Sequence, residues 1–378
     1  MALDTQNSTT GVVVIECNGL DATLAFFVKS LGFRLEVISP ADSPSMAVIF
    51  GYGLRLRLQE VTGECAPSRL RLTYRDLDLL PSGVLDAGPT LIAPNGTLID
   101  IVEAAPGMVL PPVAQSLVVS KVFGNARWGT GRAGMQYRDL EPGRQGGRFI
   151  ASHIRIPGGG PVPDYVHFHQ VRFQLIFCYR GWVKVVYEDQ GEPFVLHAGD
   201  CVLQPPQIRH RVLESSPGLE VIEIGCPAEH DTLAEHTITL PTTQVLPDRI
   251  FDGQLFVRHQ AEFATWQPWR HEGFEYRDLG IANATFGLAG ARVIRPTTGA
   301  ATPMSLVENE FFFTFVMAGS VTLVMPGHAD QPLEAGDSFV MPADQEHAFT
   351  GVSADAQLLE VSLPGELTAV SSPPSLRA

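Results

Sequence analysis

Two histidines separated by one residue, His167 and His169, are the side chains of this 378-residue chain best suited to bind a metal ion. They lie in the stretch VHFHQVRFQ, which ends at Gln174. On a β-strand, residues i and i+2 point to the same face, so both imidazoles would face one space. A further histidine, His210, ends the later segment GDCVLQPPQIRH. Three imidazoles and an amide oxygen suit a divalent first-row transition metal.

A metal bound by these four side chains would keep one or two positions open for water, dioxygen or a chelating substrate, as catalytic metals do. An HxH pair alone more often belongs to half-buried histidines that hydrogen-bond to the backbone. Its combination with a later Gly-Pro-His turn, inside a repeated unit, favours the metal site.

Gln174 contributes an amide, which leaves the bound metal more cationic by one charge than a carboxylate would. This favours an anionic or enolate-like substrate. Because an amide does not titrate, the ligand set contains no obvious general base. The sequence therefore leaves the catalytic group unknown.

Apolar and aromatic residues near the ligands could line a substrate pocket, although core packing explains most of them. The candidates are Tyr165, Phe173, Ile176, Cys178 and Val212. The later segment AEHDTLAEH contains His230 and His236 but has no strand or helix pattern, so we predict a solvated loop there.

Two copies of one pattern span the last two thirds of the chain. GMQYRDL recurs as GFEYRDL, and LHAGDCVLQPPQIRH recurs as LEAGDSFVMPADQEH. The spacing from Gly199 to His210 equals that from Gly336 to His347. Two copies of one β-unit explain this periodicity.

The second copy has lost the ligands. Alignment of the copies places Phe312 at the position of Gln174 and residues 305–307 at the HxH motif, so only His347 remains. One imidazole cannot hold a metal, so we expect this copy to have a structural or pocket-completing role.

Short β-branched and aromatic runs, broken by Gly, Pro or Asp, predict that each copy is an all-β barrel. The first hundred residues differ, because LDATLAFFVKSLGF places Leu24, Phe27, Val28 and Leu31 on one helical face. This helix lies between the strand GVVVIEC and the strands RLEVI, MAVIFG and LRLRLQ. We predict a mostly β chain, with two tandem barrels preceded by a small α+β domain of βαβββ order.

The predicted domains follow from these patterns and from the Pro-rich stretch APGMVLPPVAQ. They are an N-terminal domain (1–105), a linker (106–125), a first barrel with the metal site (126–240), a connection (241–262), a second barrel without it (263–366) and a tail (367–378).

The formal net charge of −15 and the sequence pI of about 5.1 argue against binding of nucleic acid or a membrane surface. Five cysteines without CxxC spacing, and no signal-peptide pattern, predict reduced thiols in the cytoplasm. The apolar stretch FFFTFVMAGSVTLVMPG is short and broken by glycine, so we predict a buried hairpin. Pairing of barrel edges would give a homodimer.

The first copy resembles a cupin, and the doubled unit resembles a bicupin. In the first cupin motif, six residues separate Gly160 from HxH, four lead to Gln174, and six more lead to Gly181. In the second, Gly199 is followed by five residues, Pro205-Pro206-Gln207, two residues and His210. The first gap is longer than in the family, Gln174 replaces Glu, and Gln207 replaces Gly. The resemblance implies double-stranded β-helix (jelly-roll) barrels.

The N-terminal stretch LDATLAFFVKSLGFRLEV, with the closing strand APNGTLIDIVEA, resembles one module of the vicinal oxygen chelate (glyoxalase-like) superfamily. The first strand, GVVVIEC, lacks the metal histidine of that family. Asp100 falls at the position of its glutamate ligand, although a polar strand residue explains it better. We therefore expect a degenerate module without a metal.

The cupin resemblance, to quercetinase-like and diketone-cleaving members, implies an oxidoreductase: a mononuclear non-haem iron dioxygenase acting on a small enolisable, phenolic or diketone-type substrate. The expected cofactor is one divalent transition metal, first of all Fe(II), with Mn, Ni, Co or Zn as alternatives. The expected partners are the substrate and dioxygen. A metal-dependent isomerase or lyase of the sugar-acid (uronate) type and a non-catalytic small-molecule-binding cupin are the alternatives.

Overall fold

In a computed structural model of the chain, the residues described are 11–74, 80, 88–104, 108–123, 127–298, 301–367 and 369–371. Most of the predicted tail lies outside them. The chain divides into two compact units, Met1–Gly107 and Met108–Ala378. Both are built mainly of β-strands, and among the described residues no helix is both long and apolar enough to cross a membrane.

The N-terminal unit begins with the predicted βαβββ order. Its elements are β1 Val13–Cys17, α1 Leu20–Ala25, β2 Arg34–Ser39, β3 Met46–Gly51, β4 Leu54–Glu60, β5 Arg69–Tyr74, β6 Thr90–Ile92 and β7 Leu98–Glu103. The first sheet has the order β1-β4-β3-β2, with β1 parallel to β4. Helix α1 continues as a π-helical turn, Phe26–Ser30, and the predicted apolar face is buried around Phe27 and Leu31.

In the small second sheet, β5-β7-β6, Asp100 lies on β7. Its carboxylate accepts hydrogen bonds from Arg69 Nε at 2.9 Å and Thr90 Oγ1 at 3.1 Å. The Arg69 guanidinium lowers the pKa of Asp100 below its usual value. Asp100 therefore acts as the ion-paired centre of a polar strand face.

The second unit contains the two copies of the repeat, which match strand by strand. The first copy has β8 Val118–Ser120, β9 Gly129–Thr130, β10 Gln136–Asp139, α2 Arg144–Gly147, β11 Ile150–Ile156, β12 Gly160–Pro161, β13 His167–His169, β14 Phe173–Arg180, β15 Trp182–Tyr187, β16 Phe194–His197, β17 Cys201–Leu203, β18 His210–Ser215, β19 Leu219–Cys226 and β20 Thr232–Ala234. A small hairpin follows, β21 Ile250–Phe251 and β22 Gln254–Leu255.

The second copy repeats this order from β23 onwards. It has β23 Val257–His259, β24 Gln267–Pro268, β25 Phe274–Asp278, α3 Ile281–Ala284, β26 Gly290–Pro296, β27 Ser305–Val307, β28 Phe311–Ala318, β29 Ser320–Val324, β30 Gln331–Glu334, β31 Ser338–Val340, β32 Ala348–Thr350, β33 Gln357–Leu363 and β34 Ala369–Ser371.

Each copy forms a barrel, and the copies exchange one strand. The larger sheet of barrel 1 runs β23-β17-β14-β19-β11-β10-β9, and that of barrel 2 runs β24-β25-β26-β33-β28-β31-β8. The rest of barrel 1 is one six-stranded sheet, whereas that of barrel 2 is divided into β30-β29-β32 and β27-β34. The first strand of each copy thus completes the other barrel. Residues 118–120 and 257–259, which the sequence placed in connecting segments, are therefore part of the sheets.

The arginine of the repeated YRDL motif forms a hydrogen bond across the contact between the barrels. Arg138, from the first copy, donates a hydrogen bond through Nη2 to the carbonyl of Gly336. Arg277, its counterpart, donates through Nη2 to the carbonyl of Gly199 at 3.0 Å. Both glycines belong to the repeated AGD turn, so each arginine joins its own barrel to the equivalent turn of the other.

Side-chain alternation along β14 separates two apolar regions. Phe173, Leu175 and Phe177 face a core shared by the two barrels, where Phe149 and Phe311 stack at 4.4 Å. Gln174 and Ile176 face the interior of barrel 1. The core of barrel 2 is instead filled by large side chains, notably Phe312, Phe339, Phe349, Met325 and Met341.

The apolar stretch from Phe311 to Gly327 is not a hairpin. Its strand β28 belongs to the large sheet, whereas β29 pairs with β30 and β32 in the small one. The chain crosses from one sheet to the other at Gly319, whose φ of 66° places it in the left-handed region. The sequence identified the turn but could not show which strands pair.

Candidate metal centre

Three histidines converge inside barrel 1. His167 and His169 lie on β13, and His210 begins β18, where it is the cross-strand neighbour of His167. One potential ligand atom from each imidazole lies within 4.8 Å of the other two, and no carboxylate of the described residues joins this group. The strand pairing therefore brings together the histidines of the two motifs.

Backbone carbonyls determine which nitrogen carries the proton in His167 and in His210. Nδ1 of His167 lies 2.8 Å from the carbonyl oxygen of Tyr165, and Nδ1 of His210 lies 3.0 Å from that of Ile208. A carbonyl only accepts, so each Nδ1 carries the proton and each Nε2 keeps a lone pair. Metal-binding histidines are oriented by this type of contact. The donor set thus fits a divalent transition metal.

The protein environment keeps these histidines neutral. Burial lowers the pKa of His169 to about 3, and the neighbouring His167 and His230 contribute to this shift. Burial also lowers the pKa of His167 and of His210, the latter well below its usual value. Neutral imidazole is the form that binds metals, so the site is ready for a cation at neutral pH.

Gln174 approaches the cluster from the other sheet of the barrel, on β14. Its Oε1 accepts a hydrogen bond of 3.0 Å from Gln204 Nε2. The same nitrogen of Gln204 lies 3.3 Å from His210 Nε2. The amide oxygen of Gln174 and the lone pair of His210 are therefore directed at the same region.

A carboxylate lies directly beside this amide. Gln174 Nε2 donates a hydrogen bond of 2.6 Å to Glu223 Oε1, from the adjacent strand β19. The residue of β19 directly opposite Gln174 is Gly225, and Glu223 is the diagonal neighbour. The pairing of β14 with β19 therefore brings this carboxylate to the amide of Gln174.

A cation borders the cluster on its other side. Arg132 Nη2 lies 3.0 Å from Nε2 of His167, while its Nη1 forms an ion pair with the buried carboxylate of Asp164. Asp164 also accepts a hydrogen bond of 2.9 Å from the backbone N–H of Val212. Asp164 therefore fixes the guanidinium at the edge of the site.

The cluster opens into a cavity of about 300 Å³ inside barrel 1. About half of the residues that line it are aliphatic, and the others include the histidines, Gln174, Glu223 and Arg132. The aliphatic lining residues are Met135, Ile150, Ile154, Ile156, Ile176, Val183, Val185, Leu196, Val212, Leu219 and Val221. Ile176 and Val212 are therefore in the wall.

Three of the sequence-predicted pocket residues do not line this cavity. Phe173 is adjacent to Gln174 on β14, so its side chain points to the opposite face of the sheet and is buried in the core between the barrels. Cys178 points to the same face of β14 as Gln174, but it is packed in the apolar cluster of barrel 1 and does not line the cavity. Tyr165 precedes β13 and is 43% exposed.

Several cavity residues were not predicted from the sequence. His230 was assigned to a solvated loop, but it lines the cavity, and its ring centroid lies 5.3 Å from that of His169. Glu223 and Arg132 also line it. The alternation of VIEIG along β19 could have placed Glu223 inside the barrel, whereas no local pattern marks Arg132 or His230.

The equivalent position in barrel 2 has no such cluster among the described residues. Strand β27, Ser305–Val307, replaces β13, and Ser305 pairs with His347 as His167 pairs with His210. The ring of Phe312, at the position of Gln174, lies 5.5 Å from that of His347. A single imidazole surrounded by phenyl rings offers one ligand, so in the part of the chain that the structure describes only barrel 1 brings three histidines together.

No protein-family model and no curated protein matches the sequence. The fold, however, matches solved structures of oxalate decarboxylases. The Lactobacillus farciminis enzyme, in complex with formate, superposes with a TM-score of 0.52 at 12% identity, over 69% of this chain and 91% of that chain. A Bacillus subtilis oxalate decarboxylase variant gives 0.50 at 13%, over 70% and 80%.

A further Bacillus subtilis oxalate decarboxylase structure, described with Mn(II) centres, gives a TM-score of 0.50 at 14% identity, over 70% of this chain and 80% of that chain. At such identities the similarity establishes the fold alone. The second unit of this chain thus has the bicupin fold, two tandem jelly-roll barrels, and barrel 1 brings three histidines close enough together to hold a metal ion.

Proposed function

We propose that this protein is a metal-dependent enzyme whose single centre is formed by His167, His169, Gln174 and His210. The observation that carries the proposal is the convergence of three neutral imidazoles at one end of an apolar cavity. Such a cavity is the usual form of a small-molecule site. The N-terminal unit would be a degenerate module of the vicinal oxygen chelate type, outside the chemistry.

The substrate would be a small organic molecule with an anionic or enolisable head and an apolar body. The head would lie near the histidines, where the Arg132 guanidinium can pair with a negative oxygen. The body would contact aliphatic walls such as Ile154, Val185 and Leu196. A substrate as small and polar as oxalate would leave these walls without contacts, which disfavours oxalate itself.

For the reaction we propose oxygenation or oxidative cleavage by dioxygen, with Fe(II) as the metal. The metal would supply a common binding point for substrate and dioxygen and a redox-active electron source. The chain itself would orient the substrate through Arg132 and exclude water with its aliphatic walls. The neutral Gln174 would preserve positive charge at the centre, which stabilises an anionic substrate.

A lyase or isomerase is the second candidate, and Gln174 favours it. A ligand set without a carboxylate leaves the metal a stronger Lewis acid, and a Lewis acid needs no redox change. The oxalate decarboxylase fold is compatible with this candidate. Mn or Zn would then suffice.

One experiment separates the two candidates. The protein is stripped of metal, reloaded anaerobically with Fe(II), Mn(II) or Zn(II), and mixed with enolisable, phenolic and diketone compounds. The dioxygenase predicts oxygen uptake with Fe(II) that Zn(II) does not support. Turnover without oxygen and with Zn(II) would establish the lyase or isomerase, and metal binding without turnover of any compound would contradict both.

A further inference from the structure

The carboxylate of Glu223 and the amide of Gln174 form one donor–acceptor pair across two neighbouring strands. Gln174 lies on β14 and Glu223 on β19, and the hydrogen bond between them is 2.6 Å long. Both residues face the interior of barrel 1 and line the cavity. At this distance, the amide N–H group of Gln174 and the carboxylate oxygen of Glu223 form a short, well-defined hydrogen bond.

We propose that Glu223 is a positioning residue that orients the Gln174 amide so that its oxygen is directed at the metal site. This inference rests on the proposed function, because it assigns Glu223 a role at the same metal centre. An amide has one donor end and one acceptor end. Glu223 accepts from the donor end, so the oxygen is turned toward Gln204 and His210.

The reversed orientation of the amide is disfavoured by electrostatics. It would place Oε1 of Gln174 against the carboxylate oxygen of Glu223, two acceptors without a proton between them. It would also place the N–H group of Gln174 against that of Gln204. His210 fixes Gln204 in turn, because its unprotonated Nε2 lies 3.3 Å from Gln204 Nε2 and can only accept a hydrogen bond. The hydroxyl of Tyr187 completes the arrangement with a hydrogen bond of 2.7 Å to Gln204 Oε1.

The pair also gives a physical reason for glutamine at position 174. A glutamate there would bring a second acceptor against Glu223, with no N–H group between the two side chains. Glutamine supplies the N–H group that Glu223 accepts and keeps an oxygen directed at Gln204 and His210.

Four proteins test the pair: wild type, Glu223→Gln, Gln174→Glu, and the swap that carries both changes. The affinity for Co(II) is measured by competition with a chelator, and the visible spectrum of bound Co(II) reports the ligand geometry. In the wild-type background, Glu223→Gln should weaken binding about 10- to 100-fold, as for other residues that orient metal ligands. In the Gln174→Glu background, the same change should tighten binding, because the amide introduced at position 223 can donate to the carboxylate introduced at position 174.

The same four proteins are also unfolded with urea in the presence of EDTA. Each single change should lower the midpoint, and the swap should recover it. The control is Glu214→Gln, which removes an exposed carboxylate from β18 and should alter neither readout.

An equal effect of Glu223→Gln in both backgrounds, including no effect, would overturn the inference. If the wild type takes up no Co(II), the proposed function fails, and the urea midpoints alone then decide the inference. In that case, the inference is overturned if Glu223→Gln shifts the urea midpoint equally in the wild-type and Gln174→Glu backgrounds.

Discussion

Replacing His210 with alanine removes one of the three converging imidazoles from the interior of barrel 1. A ligand present at one hundred times its Kd stabilises the folded state by about 2.7 kcal/mol. For a protein of this size, with an unfolding entropy of about 2.1 cal/mol/K per residue, that corresponds to a rise in Tm of roughly 3–5 °C. Loss of a direct ligand should weaken binding by at least about a hundredfold, the upper end of what a supporting residue contributes. At the same metal concentration, the remaining stabilisation is then about 0.4 kcal/mol, or roughly 1 °C.

The assay is thermal unfolding of wild type and His210→Ala, each with EDTA and with Mn(II) at one hundred times the wild-type Kd. The matched control is His347→Ala, since His347 is the buried counterpart in barrel 2. His347→Ala should lower the Tm in EDTA through lost packing but should retain the full metal-dependent rise. The reasoning is refuted if His210→Ala keeps the wild-type rise, or if wild type shows no rise with any of Mn, Fe, Co, Ni and Zn.

Two further predictions concern stability. Burial lowers the pKa of His169 to about 3 and that of His347 to about 4, against an ordinary value near 6.5. As the pH falls below about 6.5, these histidines bind protons in the unfolded chain before they do so in the folded protein. The free energy of unfolding of the metal-free protein should therefore be highest above about pH 6.5 and decrease toward pH 3. A urea midpoint that stays constant from pH 7.5 to 5 would contradict this. Gly181 has a φ of 73°, and a Cβ there would clash with Ser216 Oγ. Gly181→Ala should therefore cost about 2 kcal/mol of unfolding free energy in urea titrations, and an unchanged midpoint would be the contrary result.

Some features of the fold could be predicted because they depend on local periodicity. The HxH spacing places His167 and His169 on one strand face whatever the surroundings, and the repeat places His210 at the equivalent of His347. Gln207 shows the limit of a motif, because it occupies the glycine position of the second cupin motif and adopts a φ of 63° without being glycine. The turn geometry is retained although the residue type is not.

Other features depend on which strands become neighbours, and no local pattern encodes that. Residues 118–120 and 257–259 lie between the predicted barrels in the sequence, yet each completes the larger sheet of the barrel formed by the other copy. The cavity residues that the sequence did not predict were missed for the same reason. Arg132 reaches the cavity from a short 3-10 helix and His230 from a loop, and their side chains meet the histidines only because the barrel closes.

The sequence by itself determined which residues could bind a metal, that the binding unit is duplicated and that one copy has lost its ligands, since these follow from residue type, spacing and repetition. Only the tertiary structure decided the charge environment of the centre. Glu223 meets Gln174 because β14 and β19 pair in one register, and Arg132 meets His167 because Asp164 holds it there. Electrostatic interactions act over a few ångströms in space, and those distances are set by strand pairing between segments far apart in the chain.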